Sequence, residues 1–432
     1  MITNQEILNL RQKNLIPTAN HYYKEAVHPI KAKGCEVWDA DGKRYLDACG
    51  GILCISVGHN HPKIKVALKK LLDEDHIQHI SVLYLSEFLP QIIDALVEEA
   101  PESISKGFLV NSGSEANELA VMAARHFTGH QTVISLRHAY HGGTSVPLAL
   151  CGHGTWKFNA APNTGVVHAK APDCYRCPFG QTKETCSAQC ADDVEEVIKT
   201  TTNGKIAAFI AEPILGVGGF IDPPAKYHQK VYDIVKKYDG LYISDEVQTG
   251  VGRAGKEFFA IVEHGVNADI ITMAKGLGNG APVGATLMRS DVAEAMRGRL
   301  YFNTFGGDPY QTLQALLTVQ IVKEENLIAN AKKQGDTLLR LFRELQPSIA
   351  SLGDVRGRGL MIGLELVKDK STKEPNPEAV LKVMELTKDK GLLIGKGGLN
   401  GNVVRLAPPL SITDEQTEEL GKIMKEALLQ LK

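Results

Sequence analysis

The chain has 432 residues, 43% hydrophobic and 23% charged. That is ordinary globular composition, with material for a large core and two or three domains. Its 48 basic and 50 acidic residues leave a net charge of −2, too balanced for the whole-chain basic field that a nucleic-acid partner favours. No apolar run approaches the ~18 residues of a membrane span, so no membrane partner is expected either.

In chain order, the opening stretch MITNQEILNLRQKN is polar, with Ile7, Leu8 and Leu10 set among charges. It lacks the apolar stretch of a signal peptide, and a cytoplasmic location is expected. Residues 34–38 and 44–46, joined by Asp39-Ala-Asp-Gly42, read as a hairpin. Apolar runs at 106–110, 132–136, 207–211, 241–244 and 270–273 read as buried strands. Between them, 115–128 and 224–238 carry helical periodicity; in the second, Tyr227, Val231, Ile234, Val235 and Tyr238 recur on one face. Strands alternating with helices predict an α/β domain with a mostly parallel sheet, whose sites lie at the carboxyl ends of its strands. Further on, 311–345 reads as one long helical stretch and 359–367 as a strand. Residues 413–431 read as an amphipathic helix capped by Thr413, with Glu415 and Gln416 in its first turn. The expected organisation is an N-terminal segment (1–60) and a C-terminal part (311–432), together building a small α+β domain around a large domain (61–310).

Three short stretches can carry chemistry. Asn111-Ser-Gly-Ser-Glu-Ala-Asn117 follows the 106–110 strand. Gly113 permits a tight turn, and the hydroxyls of Ser112 and Ser114 with the next helix's first N–H groups would suit a phosphate; a plain serine cap is the alternative. The strand at 241–244 runs into Asp245 and Glu246, either exposed carboxylates or partners of a buried cation. The strand at 270–273 runs into Lys275, flanked by Gly276 and Gly278. There a lysine is either solvated, or desolvated and nucleophilic, able to form a Schiff base with a carbonyl. A phosphate cradle, a strand-end acid and a strand-end lysine together complement pyridoxal 5′-phosphate. A nicotinamide dehydrogenase is disfavoured, since no G-x-G-x-x-G follows the first strand of a βαβ unit.

The chain resembles the class III (omega) aminotransferases from about His21 to its C-terminal helix. VWDADGKRYLD, VGHNHP, NSGSEAN, AYHG, AEPI, SDEVQTGVGR, TMAKGLGNG, NTFGGDP, GDVRGRGLMIGLEL and VRLAPPL occur in the family's order. The resemblance implies the fold type I, aspartate-aminotransferase-like architecture, with a mostly parallel seven-stranded sheet in the large domain. It makes Lys275 the Schiff-base lysine and proton shuttle, and Asp245 the partner of the pyridine nitrogen. Ser112 supplies the turn, and Gly113 and Ser114 are phosphate ligands. Tyr140 and Val247 cover the two ring faces, Gln248 reaches the ring oxygen, and His141 is either a group behind the ring or a structural histidine. Thr304 is implied as a phosphate ligand donated by a neighbouring subunit, hence a homodimer, with a dimer of dimers as the larger option. Arg405 resembles the arginine that grips a substrate carboxylate, and Glu212 a gate that pairs with Arg405 when no carboxylate needs it.

Among branches of the family, FNTFGGDP and GDVRGRGLMIG are most similar to the alanine–glyoxylate and β-aminoisobutyrate–pyruvate group. The implied reaction is a ping-pong transfer from alanine or a β- or ω-amino acid such as 4-aminobutyrate to pyruvate or glyoxylate. A phospho-lyase, racemase, decarboxylase or aminomutase would share the same cofactor motifs.

Departures from the family pattern are Asp308 and Tyr310 in GGDPY, expected to alter local packing, and Val251, expected to affect pocket width. Of the eight cysteines, Cys35, Cys49, Cys54 and Cys151 are scattered and expected to be inert. Cys174, Cys177, Cys186 and Cys190 follow C-x2-C-x8-C-x3-C. That spacing suits a structural zinc or an iron–sulfur cluster, the alternative being a loop of thiols without metal.

Overall fold

A computed structural model describes residues 2–18, 20–158, 165–182 and 185–431. Its described residues form three sheets, the largest with seven strands. In chain order these are β1 (Ile104–Val110), β2 (Val133–Leu136), β3 (Val166–Ala169), β4 (Ala208–Ala211), β5 (Leu241–Asp245), β6 (Ile270–Met273) and β7 (Gly284–Arg289). Their spatial order is β1-β7-β6-β5-β4-β2-β3. Neighbours are parallel except β7, which runs against both β1 and β6. Every residue of β2, β4, β5 and β6 is buried. Continuous apolar runs rather than alternation are what a sheet covered on both faces requires.

The predicted hairpin forms: Glu36–Asp39 pairs with Arg44–Asp47 about a turn in which Gly42 takes φ +83°. Pro29–Lys33 adds on one side and Leu392–Leu393 on the other, so both chain ends share this sheet. The third sheet has the order Leu352–Arg358, Met361–Leu366, Val403–Leu406, Gly395–Gly397.

Two expected elements are corrected. The 311–345 stretch is two helices, Pro309–Glu324 and Leu327–Leu345, because Asn326 takes the left-handed conformation (φ +52°) and breaks the first. The strand expected from 359 begins at Met361; Gly359 turns at φ +50° against the Arg253 and Ala254 backbone, with no room for a Cβ. The C-terminal helix is Asp414–Leu429, and Thr413 caps it in a capping box with Gln416. No described helix is long and apolar enough to cross a membrane.

Candidate active site

The carboxyl ends of β1, β5 and β6 open on one cavity of about 1200 Å³, lined among others by Ser112, Gly113, Ser114, Tyr140, His141, Glu212, Asp245, Val247, Gln248, Lys275 and Arg405. Residues separated by almost 300 positions are thereby brought to one surface, where α/β sheets bind their ligands.

The floor is built from the 113–128 helix outward. Ser112 is its N-cap, its Oγ accepting the Glu115 N–H at 3.2 Å. The cap reading is therefore right for the Ser112 hydroxyl. The N–H groups of Gly113 and Ser114 precede the first helical bond, Ala116 N–H to Ser112 O, so they face the cavity end, where an anion is favoured. Gly113 has a packing reason too: a Cβ there would sit 3.0 Å from Val247. Ser114 Oγ accepts the Gly143 N–H at 3.0 Å and keeps its own proton to donate.

Of the two strand-end carboxylates, only Asp245 reaches the cavity. Its Oδ2 accepts from His141 Nδ1 at 2.7 Å and Asn117 Nδ2 at 2.8 Å, and its Oδ1 accepts the Val247 N–H at 3.1 Å. The carboxylate partner places the imidazole proton on Nδ1, leaving Nε2 buried without a partner. Asn117 is also held by Thr272, whose Oγ1 donates to its Oδ1 at 2.7 Å. Asn117, the last residue of the Asn111–Asn117 motif, is a functional residue beyond those expected; its signal is its place one helical turn after Gly113, on the same face. Glu246 turns into the core, where its carboxylate accepts from Thr249 Oγ1 and from the Ile261 N–H. Burial pushes its pKa up to about 7.

Lys275 follows β6 with φ +44°, a strained backbone for a side chain that is not glycine, of the kind concentrated at functional sites. Gly276 lets this turn press on Ser56, whose Oγ a Cβ would meet at 2.4 Å. Burial lowers the Lys275 pKa from its ordinary value, against the opposing field of Asp245. A larger neutral amine fraction is what a nucleophilic lysine needs.

Across the cavity, Tyr140 meets Trp156 edge-on with centroids 5.0 Å apart. One amide atom of Gln248 is buried without a partner, and Gly216 makes room for that side chain. Arg405 is 7% exposed, its guanidinium carbon 5.3 Å from the centre of the Phe220 ring. It donates to Lys396 O at 3.0 Å and Gly216 O at 3.2 Å, with no ion-pair partner among the described residues. The expected pairing with Glu212 is not formed; the two Glu212 oxygens accept the N–H groups of Tyr140 (3.0 Å) and Gly216 (2.8 Å). Burial raises the Glu212 pKa to about 7.

Thr304 is exposed and lies outside this chain's cavity. Val251 is buried in the core and does not line the cavity, so its effect on pocket width falls away. Asp308 and Tyr310 do set local packing. The Asp308 carboxylate accepts the Ile80 N–H and meets His79 Nδ1 at 2.8 Å, and Tyr310 reaches His76 O.

The four clustered cysteines all line a second cavity of about 780 Å³, and none of the eight cysteines is in a disulfide. Among the described residues, no three His, Cys, Asp or Glu side chains are grouped to hold a metal ion. The tetrahedral thiolate set suggested by the spacing is therefore not formed. The loop is fastened instead by Arg176, which donates to Glu365 and to Lys373 O at 2.7 Å. Cys190 is buried, which pushes its pKa up to about 12.

Comparison with known proteins fits this geometry. The family model described as aminotransferase class-III matches residues 18–428. The Arabidopsis thaliana protein named alanine–glyoxylate aminotransferase 2 homolog 2, mitochondrial, is 39% identical over 97% of this chain and 86% of its own. A Bacillus anthracis aminotransferase structure superposes with a TM-score of 0.91 at 32% identity, covering 100% of both chains. An Arthrobacter phospholyase in complex with phosphoethanolamine does so at 0.89 and 27% identity, over 99% of this chain and 100% of its own. With Lys275, Asp245 and a helix N-terminus converging on one cavity, and a family match over nearly the whole length, this chain belongs to the class III aminotransferases, the pyridoxal-5′-phosphate-dependent transaminases.

Proposed function

We propose that this transaminase takes its amino group from alanine or a β- or ω-amino acid such as 4-aminobutyrate and passes it to pyruvate or glyoxylate, in two half-reactions at the one cavity. The observation that carries the reading is Arg405. A buried guanidinium whose hydrogen-bond acceptors among the described residues are two carbonyl oxygens, with no carboxylate among them, is an uncompensated charge, and its planar fork suits a carboxylate bound at two points. Glu212 accepts two backbone N–H groups and makes no ion pair with Arg405 among the described residues, which leaves the guanidinium fork open to a substrate.

The residues lining the cavity fit pyridoxal phosphate. Two buried polar atoms, on His141 and Gln248, have no partner among the described residues, and the amide of Gln248 can turn either end inward. The first-turn N–H groups of Gly113 and Ser114, with the Ser114 hydroxyl, would hold the phosphate. Asp245, oriented by His141 and Asn117, would face the pyridine nitrogen. Tyr140 and Val247 would cover the ring, and Gln248 would donate to its oxygen. When bound, the cofactor supplies an aldehyde to capture the amine and a ring to take up the electrons released at the carbon that bears it. Lys275 Nζ would take the proton from that amine-bearing carbon and deliver it to the carbon that was the aldehyde, and do the reverse in the second half-reaction. Arg405 would fix the carboxylate so that the C–H bond beside the amine is presented to Lys275.

We propose a homodimer in which Thr304 completes the phosphate site of the neighbouring subunit. The loops that carry Leu85 and Leu300 leave both side chains fully exposed, with Tyr84, Phe302 and Phe305 beside them in sequence. A second copy covering them accounts for so much exposed apolar surface.

The second reading is a phospho-lyase, which the likeness to the Arthrobacter enzyme favours. One experiment separates the two. Purified protein is given alanine, 4-aminobutyrate or phosphoethanolamine singly, while the cofactor's visible absorption and released inorganic phosphate are followed. Bleaching that pyruvate or glyoxylate reverses, without phosphate release, supports transamination. Phosphate release without reversible bleaching overturns it.

A further inference from the structure

The edge of the third sheet nearest the cavity is closed in an unusual way. Strand Gly395–Gly397 pairs on one side with Val403–Leu406, setting Gly395 opposite Arg405, while its other side meets no strand. Backbone groups on such an edge need other partners. They find them in two consecutive tyrosines near the N-terminus. Tyr23 Oη accepts the Ile394 N–H at 2.9 Å and donates to Ile394 O at 3.1 Å. Tyr22 Oη accepts the Lys396 N–H at 2.8 Å and lies 3.3 Å from Lys396 O. Positions 394 and 396 are two apart, so strand alternation turns both peptides to the same edge, and one phenol serves each. The two rings meet edge-on at 6.0 Å.

The Lys396 carbonyl is also the acceptor for Arg405 Nε at 3.0 Å. Gly397 presses on the same side chain: a Cβ there would meet Arg405 Cδ and Nε at 2.9 Å. The strand held by the tyrosines is thus the bed on which the guanidinium lies, and Tyr22 and Lys396 both line the cavity. We infer that Tyr22 is a positioning residue for Arg405: its hydroxyl fixes the Lys396 peptide, and that peptide aims the guanidinium fork at the substrate carboxylate. The inference rests on Arg405 being the carboxylate ligand.

The test compares four proteins: wild type, Tyr22→Phe, Arg405→Lys and the double variant. Each is loaded with cofactor and given alanine in single turnover, followed by visible absorption. Amide hydrogen exchange at Lys396 is measured on the cofactor-free proteins. Tyr22→Phe keeps the ring and removes only the hydroxyl. Expected are faster exchange at Lys396, half-saturation by alanine raised about fivefold and a maximal rate within about twofold of wild type, the loss of roughly one hydrogen bond's worth of alignment. In the Arg405→Lys background the same change should add nothing, because its effect runs through Arg405. Unchanged half-saturation in Tyr22→Phe, or an equal rise in both backgrounds, overturns the inference and leaves the role of Arg405 standing. If Arg405→Lys itself leaves half-saturation unchanged, the carboxylate reading fails and the inference falls with it.

Discussion

Asp245 and Glu246 are adjacent carboxylates at one strand end, and the structure gives them opposite fates. Glu246 is 1% exposed and does not line the cavity. Burial raises its pKa from 4.5 to about 7. Between those values the folded protein holds a proton that the unfolded chain has released, so stability falls as pH rises through the window and the loss is complete above about pH 7. At 1.36 kcal/mol per pH unit, a rise from 4.5 to about 7 amounts to about 3 kcal/mol. Glu246→Gln removes the ionisation and keeps an oxygen for the Ile261 N–H; Thr249 can accept from the new amide. The assay is unfolding of wild type and Glu246→Gln at pH 5 and pH 8, with the cofactor at equal saturation. The variant should exceed wild type by under about 1 kcal/mol at pH 5 and by about 3 kcal/mol at pH 8, and keep its turnover. A variant no more stable at pH 8 than at pH 5, relative to wild type, would refute the desolvation argument. Lost turnover would refute the assignment of Glu246 to the core.

Other substitutions test the cavity. Lys275→Ala should abolish turnover with the circular dichroism of the fold unchanged, and wild-type activity would break its assignment. Arg405→Ala should raise KM for pyruvate about ten- to hundredfold, since a charge-assisted contact contributes about 1.5–3 kcal/mol, while the cofactor's absorption stays as in wild type. Asn117→Ala removes one donor from Asp245 and the donor that holds the His141 carbonyl, while the His141 ring and the Val247 N–H still reach Asp245. It should lower kcat/KM about tenfold or more, and an unchanged value would show that Asp245 is oriented without Asn117.

Much of the fold was legible because the large sheet is built from continuous apolar runs. A strand buried on both faces, such as 208–211, has no other composition available to it. The Asp245 and Lys275 positions were legible for the same reason: a charge set directly after such a run marks the strand's carboxyl end. The helix break at 325–326 was not, because it depends on the left-handed conformation of Asn326 amid helical periodicity that continues on both sides. Long-range partners were also hidden. The fully buried Arg253 has no carboxylate partner among the described residues; it donates to the carbonyls of Ile55, Leu360 and Pro408, from three distant segments. Glu212 and Arg405 line one cavity without an ion pair between them, and Glu212 accepts the N–H groups of Tyr140 and Gly216 instead, contacts that no local pattern announces. The cysteine spacing left both a metal site and a loop of thiols open, because spacing alone cannot place four thiols around a point. Arg176 fastens the loop through the buried Glu365.

The central claim is that the cavity between Lys275, Asp245 and Arg405 carries out amino-group transfer between two carboxylate-bearing substrates. The most direct measurement is the visible spectrum of the cofactor-loaded protein through one full cycle, alanine first and then glyoxylate. The account predicts bleaching on the first addition, recovery on the second, pyruvate and glycine in equal amounts, and none of this in Lys275→Ala. An unchanged spectrum with alanine and with every β- or ω-amino acid tried, or bleaching that no 2-oxo acid reverses, would contradict it.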